Sequence, residues 1–345
     1  MAGHADGHYS VVERVREVRD ADYGVLATRT AVVVGCGALG SAVATHLVRG
    51  GVGRLRLIDR DLVERRNLPH QVLYTEADAA SGRLKAEAAA ARLREVNTDV
   101  EVEGIVADLA PGNAVRLTAG ADVLVDGTDT LESKLLLNDV AVSAAIPLVY
   151  AGCAGSEGSV MAIVPGSTPC LRCLWPQPAR AAQRLTCETR GLLPGTAAAV
   201  GALQATEALK LLLGLEPSEL SGLVRIDVWE AVVRRVPRPE FRTEARTCPA
   251  CGVRDFAYLR GEHATTAHEL CGADTILLSA PAAQTDLQRL RHRHRANASL
   301  RAQPECVQVE IDGCRIVAFS SGRTLIHGAG GLNRARAIHA RHILG

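Results

Sequence analysis

The sequence predicts an α/β protein built on a doubly wound, mostly parallel sheet of Rossmann type. Short valine- and leucine-rich runs alternate with longer segments of helical apolar spacing, the pattern of strand–helix–strand units. The first run, AVVVG at 31–35, passes straight into a glycine turn, and the second, RLRLID at 54–59, closes on an acid. That order is the layout of a nucleotide-binding strand–turn–helix unit.

The elements follow in sequence. Residues 1–30 are polar and are expected to form an N-terminal helical segment. The run at 31–35 reads as a buried strand, and SAVATHLVRGG (41–51) as a helix stopped by Gly50 and Gly51. RLRLID is the second strand. An alanine-rich helix opened by Ser81 is expected over 81–97, then a third strand over 100–106 and a fourth over 121–129. A helix over 131–144 leads to a strand at 147–152. Beyond 159 the texture turns to hairpin-like strands, with a long apolar helix at 196–214 and one strand at 224–236 closed by Pro237. Residues 262–345 read as a small α+β domain with a helix near 287–298, a strand pair at 307–320 and a last helix near 332–343. The main domain is expected over 31–258.

Composition limits the function classes. With 47% hydrophobic and 22% charged residues, most of the chain is folded rather than disordered. A formal net charge of +1 lacks the basic footprint of a general nucleic-acid binder. No apolar run reaches the ~18 residues needed to span a bilayer, and the N-terminus lacks a secretory apolar core. A cytoplasmic location is expected. Arginine dominates the basic residues, and Lys85, Lys134 and Lys210 are the three lysines. A lysine that persists against such a bias is a candidate for a role.

Gly35-Cys36-Gly37-Ala38-Leu39-Gly40 is a complete GxGxxG between strand and helix. Bare glycines let backbone approach phosphate, and the helix start supplies amide donors. Asp59 follows Gly40 by 19 residues, where an acid takes ribose hydroxyls. The motif does not separate a nicotinamide dinucleotide from ATP. The next segment favours a triphosphate. It holds Arg60, Asp61, Arg65, Arg66, Asn67 and His70, followed by Lys85 on a helix and Asp129 after a strand. Cations neutralise phosphate oxygens and a carboxylate holds Mg²⁺.

Of ten cysteines, Cys170, Cys173, Cys248 and Cys251 form two CxxC pairs beside Pro169, Pro249 and Gly252. Two such knuckles supply the four thiolates of a structural Zn²⁺ site, if folding brings them together. The rival reading is a pair of redox dithiols. Cys187, in LTCETRG near Arg184 and Arg190, is a candidate nucleophile. Cys36, Cys153, Cys271, Cys306 and Cys314 read as small buried residues.

The stretches GCGALG, LIDRDLVERRNLPHQ, GRLKAEAAAARL, VDGTD, TPCLRCLWP, LTCETRGLLPGTAAAVGALQATEALKLL and CPACG occur in one order over about residues 30–255. Together they resemble the ThiF/MoeB/HesA group, prokaryotic relatives of ubiquitin-activating enzymes. The resemblance implies a Mg-ATP-dependent adenylyltransferase acting on the C-terminal glycine carboxylate of a ubiquitin-like sulfur-carrier protein. Adenylation of a peptide carboxylate or amide is the alternative, and a non-catalytic scaffold is a third reading. The resemblance implies that Gly35, Gly37, Ala38, Leu39 and Gly40 approach the nucleotide, with Asp59 on the ribose and Asp61 in the same binding set. It also implies that Asn67 and Lys85 meet the phosphates, Asp129 binds Mg²⁺ and the four CxxC cysteines bind Zn²⁺. Lys85, Asp129, His70 and Cys187 are the catalytic candidates. A symmetric homodimer and a separate sulfur-donor protein are implied as well. Two departures stand out. His70 sits where the family usually has arginine, and no RYxRQ-like segment precedes residue 30.

Overall fold

The computed structural model describes residues 8–19, 21–176, 190–215, 222–236, 245–263, 267–270, 275–279 and 285–344. Before the first strand, helix is limited to α1 (Arg16–Arg19) and a 3-10 stretch at Tyr23–Thr28, so the expected N-terminal helix is mostly turns. The main sheet contains β1 (Thr30–Val34), β2 (Arg54–Asp59), β3 (Glu101–Val106), β4 (Val123–Asp126), β5 (Leu148–Ala154), β6 (Glu157–Ile163), β7 (Leu223–Asp227) and β8 (Val232–Val236). Its order is β3-β2-β1-β4-β5-β6-β7-β8. The first five pair in parallel, and β6 to β8 add on antiparallel. The topology reverses between β2 and β4, on either side of β1, which places a crevice at their carboxyl ends.

Helices cover both faces, and the β1 valines show why. Ala31 and Val33 enter one apolar cluster, Val32 and Val34 the other. The first face carries α2 (Ala38–Arg49), α4 (Lys85–Val96) and α8 (Pro194–Leu212). Gly201 lets α8 lie close on α2, since a Cβ there would come within 2.6 Å of the Ala42 Cβ. The second face carries α5 (Ala114–Thr118), α6 (Leu131–Ala144) and α7 (Leu171–Leu174).

Two expected elements divide. The helix expected over 81–97 is two: α3 (Glu76–Ser81), capped at its start by Thr75 and Asp78, and then α4. Gly82, left-handed at φ +59°, ends α3, so Ser81 closes a helix rather than opening one. The strand expected over 224–236 is the β7–β8 hairpin.

The C-terminal residues build a second sheet. Its strands are β9 (Ala267–Leu270), β10 (Thr275–Ser279), β11 (Arg301–Ala302), β12 (Cys306–Ile311), β13 (Cys314–Phe319) and β14 (Arg323–His327), all antiparallel. The order is β11-β12-β13-β14-β10-β9. Helices α9 (Leu287–Arg293) and α10 (Leu332–His339) pack on it, both shorter than expected; Ala340–Leu344 continues as a π turn. Leu277, Cys306, Val317, Phe319 and Leu325 form one apolar cluster with Leu62, Leu84, Ala86 and Val106 of the main unit.

At the carboxyl ends of β4 and β5, the buried Lys134 ammonium donates to Asp126 Oδ2 at 2.9 Å, Thr128 O at 2.7 Å and Ala151 O at 2.8 Å. Asp126 Oδ1 accepts from the Thr128 amide and hydroxyl, which fixes the turn after β4. Replacing Lys134 with Met leaves Asp126 charged and unpaired in the core. Urea unfolding of Lys134→Met should show a loss of about 3–5 kcal/mol. A loss below about 1 kcal/mol would show that the ion pair does not organise these strand ends.

Candidate nucleotide site and cysteine cluster

The three motif glycines are required for different reasons. Gly35 adopts φ +87°, and a Cβ there would lie 2.6 Å from the Gly127 carbonyl. A Cβ on Gly40 would sit 1.7 Å from Gly35 O. These two are demanded by close packing of β1, β4 and α2. No close packing among the described residues demands Gly37. Its φ is −73°, and its Cβ would meet only Gln71 Nε2, at 3.8 Å. The turn is therefore bare on the side facing Gln71. Gly37 is also the N-cap of α2, which has no side-chain cap, so the first-turn amides of Ala38, Leu39 and Gly40 are not met by a capping side chain. Gln71 is buried, and its Oε1 has no protein partner among the described residues. An uncapped helix start beside a bare turn fits an anionic group, and the unpartnered Gln71 Oε1, an acceptor, fits a donor such as a hydroxyl or N–H.

The two acids after β2 differ sharply. Asp59 is buried, and its oxygens accept the Cys36 amide at 2.5 Å and the Asp61 amide at 2.7 Å. Burial pushes its carboxyl up to about 6, against the pull of Lys85. Asp61 is half-buried and pairs with Lys85 Nζ at 3.1 Å. Burial alone would raise it too, but Lys85 and Arg60 outweigh this and hold it at about 2. Asp59 is thus built into the loop, while Asp61 is the ionised acid with an exposed face.

Around Asp61 the charges interlock. Lys85 is 5% exposed at the start of α4. Burial works against its charge, yet Asp61 and Asp59, with Asp129 adding, raise its pKa. Arg60 Nη1 donates to Asp108 at 2.6 Å, and Arg60 Nε lies 3.6 Å from Asp61. The exposed Asp129, after β4, also acts on Lys85, Arg60 and Lys134 through its field. Asn67 ends a 3-10 turn at Arg65–Asn67, and its carbonyl accepts the His70 amide at 3.2 Å. His70 is half-buried, and burial together with the Lys85 charge lowers its pKa, so it is neutral at pH 7. The structure therefore brings Gly37, Asp61, His70, Lys85 and Asp129 into one electrostatic neighbourhood. Cys187 lies outside the described residues. Asp108 carries no signal in the sequence; Arg60 is legible only as one of the cations in the segment after β2, and Lys134 only as one of three lysines.

The four CxxC sulfurs also converge. Cys170, Cys173, Cys248 and Cys251 have Sγ atoms all within 4.8 Å of one another. Cys170 and Cys248 are 3.6 Å apart, Cys173 and Cys251 3.5 Å. A tetrahedral Zn²⁺ with ~2.3 Å bonds sets sulfurs ~3.8 Å apart, so the donor set fits it. The separations exceed the ~2.0 Å of a disulfide, and all four thiols are free. Two buried residues of α6 hold the knuckles: Asn138 Oδ1 accepts the Leu171 amide at 2.8 Å, and Asp139 Oδ2 accepts the Tyr258 amide at 3.0 Å.

A bare glycine turn, converging cations and acids at the strand tips, and a four-sulfur knuckle define a nucleotide-binding α/β protein with a candidate structural metal site. The chain belongs to the ThiF family, whose model matches residues 9–250. It is 39% identical over 339 residues to the sulfur carrier protein ThiS adenylyltransferase of Bacillus subtilis, spanning 98% of this chain and 99% of that protein. It is 41% identical over 240 residues to the SAMP-activating enzyme E1 of Haloferax volcanii, spanning 68% of this chain and 85% of that protein. Identity to the adenylyltransferase and sulfurtransferase MOCS3 of Sus scrofa is 36% over 296 residues, 84% of this chain and 63% of that protein. Among solved structures, Escherichia coli MccB with ATP superposes at a TM-score of 0.56 with 25% identity, over 67% of this chain and 68% of that one.

If the knuckle holds zinc, elemental analysis of purified protein gives one zinc per chain. Cys248→Ser then loses the metal and several kcal/mol of stability. Wild-type protein free of zinc, with both CxxC pairs oxidised by mass spectrometry, would support the redox reading instead.

Proposed function

We propose that this chain is an ATP-dependent adenylyltransferase that activates the C-terminal glycine carboxylate of a ubiquitin-like sulfur-carrier protein. A carboxylate oxygen attacks the α-phosphorus, the bond to the β-phosphate oxygen breaks, and pyrophosphate leaves. The observation that carries this reading is the nearly full-length likeness to a ThiS adenylyltransferase, laid over a strand-tip cluster of the charge such a reaction needs.

The residues divide the task as follows. Gly37 lets the triphosphate approach the amides of Ala38, Leu39 and Gly40. Asp61, ionised and partly open, takes the ribose hydroxyls in place of the expected Asp59, whose oxygens are taken by the Cys36 and Asp61 amides and which holds the loop. Lys85 and Arg60 offset charge that builds on the phosphate oxygens as pyrophosphate departs, an effect strongest in the transition state. Asn67 adds a neutral donor. His70, uncharged at pH 7, contributes hydrogen bonds rather than a permanent cation. Asp129 would hold Mg²⁺, which would supply charge neutralisation at the phosphates. Zn²⁺ at the four cysteines is structural. Cys187 serves a later covalent step and not adenylation itself. In this reading residues 31–258 form the adenylation domain and 262–345 an appended domain, and the chain works as a cytoplasmic homodimer. A separate protein donates sulfur. No helix among the described residues is long and apolar enough to cross a membrane.

Radiolabelled pyrophosphate should exchange into ATP only when a carrier ending in Gly-Gly is present. Asp129→Ala should cut exchange on the order of 10²-fold. Exchange driven by a short peptide and not by any carrier would favour the peptide-activating alternative, and full exchange in Asp129→Ala would remove the metal role from that residue.

A further inference from the structure

We infer that Arg323, on β14 of the C-terminal sheet, is a positioning residue for the nucleotide site. It holds Arg60 through Asp108 and the first turn of α6 through Glu132. The inference rests on the adenylyltransferase reading and gives the appended sheet a part in it.

Asp108 follows the end of β3 and is 1% exposed. One of its oxygens takes Arg60 Nη1 at 2.6 Å, and the other takes Arg323 Nη1 at 3.3 Å. The second nitrogen of Arg323, Nη2, donates to Glu132, near the start of α6 and three residues beyond Asp129. Arg60 in turn stands 3.6 Å from Asp61. Asp61, Arg60, Asp108, Arg323 and Glu132 therefore form one chain of alternating charge. It runs from the tip of β2, past β3, to the helix that follows β4.

The position matters more than the attachment. The two sheets are already joined by the apolar cluster around Phe319 and Leu62. They are also joined by the outlying Arg116–Glu305 pair, at 2.9 Å. Burying a guanidinium costs free energy that a purely adhesive contact would not need. Burial opposes the Arg323 charge, but Asp108 and Glu132 outweigh it and raise its pKa. Without Arg323, Asp108 has Arg60 as its sole cation among the described residues. Arg60 is then drawn away from Asp61 and Asp129, and the site becomes one charge more negative toward a triphosphate. The loss should fall on ATP capture, not on carrier binding.

The test uses full-length protein and its carrier in pyrophosphate exchange, with ATP affinity measured separately by calorimetry. Arg323→Met should raise KM for MgATP at least about tenfold, with kcat and the carrier KM within about threefold. Arg323→Lys, which keeps the charge but reaches only one carboxylate well, should fall between them. Arg116→Ala, which cuts an ion pair between the sheets away from the strand tips, should keep the wild-type KM. If Arg323→Met does not fold, Glu132→Gln carries the test, with an expected rise in KM for MgATP of about threefold. The inference is overturned by an unchanged KM for MgATP in the folded variant, or by kcat and affinity falling together in step with the folded fraction. Wild-type protein that binds no ATP would instead sink the adenylyltransferase reading, whereas equal ATP binding by wild type and Arg323→Met would sink this inference alone.

Discussion

Backbone contact among Gly35, Gly40 and Gly127 is the constraint on which the site depends. A Cβ on Gly127 would lie 2.3 Å from Gly35 O, and one on Gly40 would lie closer still. With all three bare, β1, β4 and the start of α2 meet at one point. The acid and cation residues that follow β2 and β4 are then brought toward the same crevice. Gly37 stands apart from this packing and leaves its face open. The motif thus serves two ends: two glycines close the fold, and one exposes it.

Charge at the crevice is balanced by pairing rather than by solvent. Asp126 is matched by Lys134, Asp61 by Lys85, and Asp108 by Arg60 and Arg323. Asp59 is treated differently, with its two oxygens taken by backbone amides and its carboxyl pushed up to about 6 by burial. The consequence is directional. Between about pH 4 and pH 6 the folded Asp59 keeps a proton that the unfolded chain releases, so this residue's contribution to stability declines as pH rises through that window. Asp61, held at about 2, contributes in the opposite sense, and its share is lost only as pH falls below about 4.

Much of this was legible in the residues because the fold's main signals are local. Valine runs, the glycine turn and the spacing of Asp59 place β1, α2 and β2 to within a few residues. The α6 boundaries, Leu131–Ala144, agree with the sequence reading because Thr130 caps the start and the chain turns left-handed at Ala145. Illegible features share a cause. The β7–β8 turn has no glycine, proline or asparagine to mark it, and its positive φ falls on Ala231. The α3–α4 break is hidden in alanine-rich sequence, with Gly82 its one mark. Asp108 and Arg323, and the anchoring of Arg60, are set by contacts between residues 48 and 215 positions apart. No spacing rule reaches that far. The four cysteines were readable as pairs, and only folding shows that the pairs meet.

The central claim is that the tips of β1, β2 and β4 receive ATP, with Lys85 as the cation nearest the open acid. Calorimetric titration of MgATP into wild-type and Lys85→Met protein, each checked for native circular dichroism, tests it most directly. Saturable binding by wild type, weakened at least about tenfold in the variant, is the expected result, a difference of about 1.4 kcal/mol or more. Equal affinity in the two proteins, or no binding by either, would contradict it.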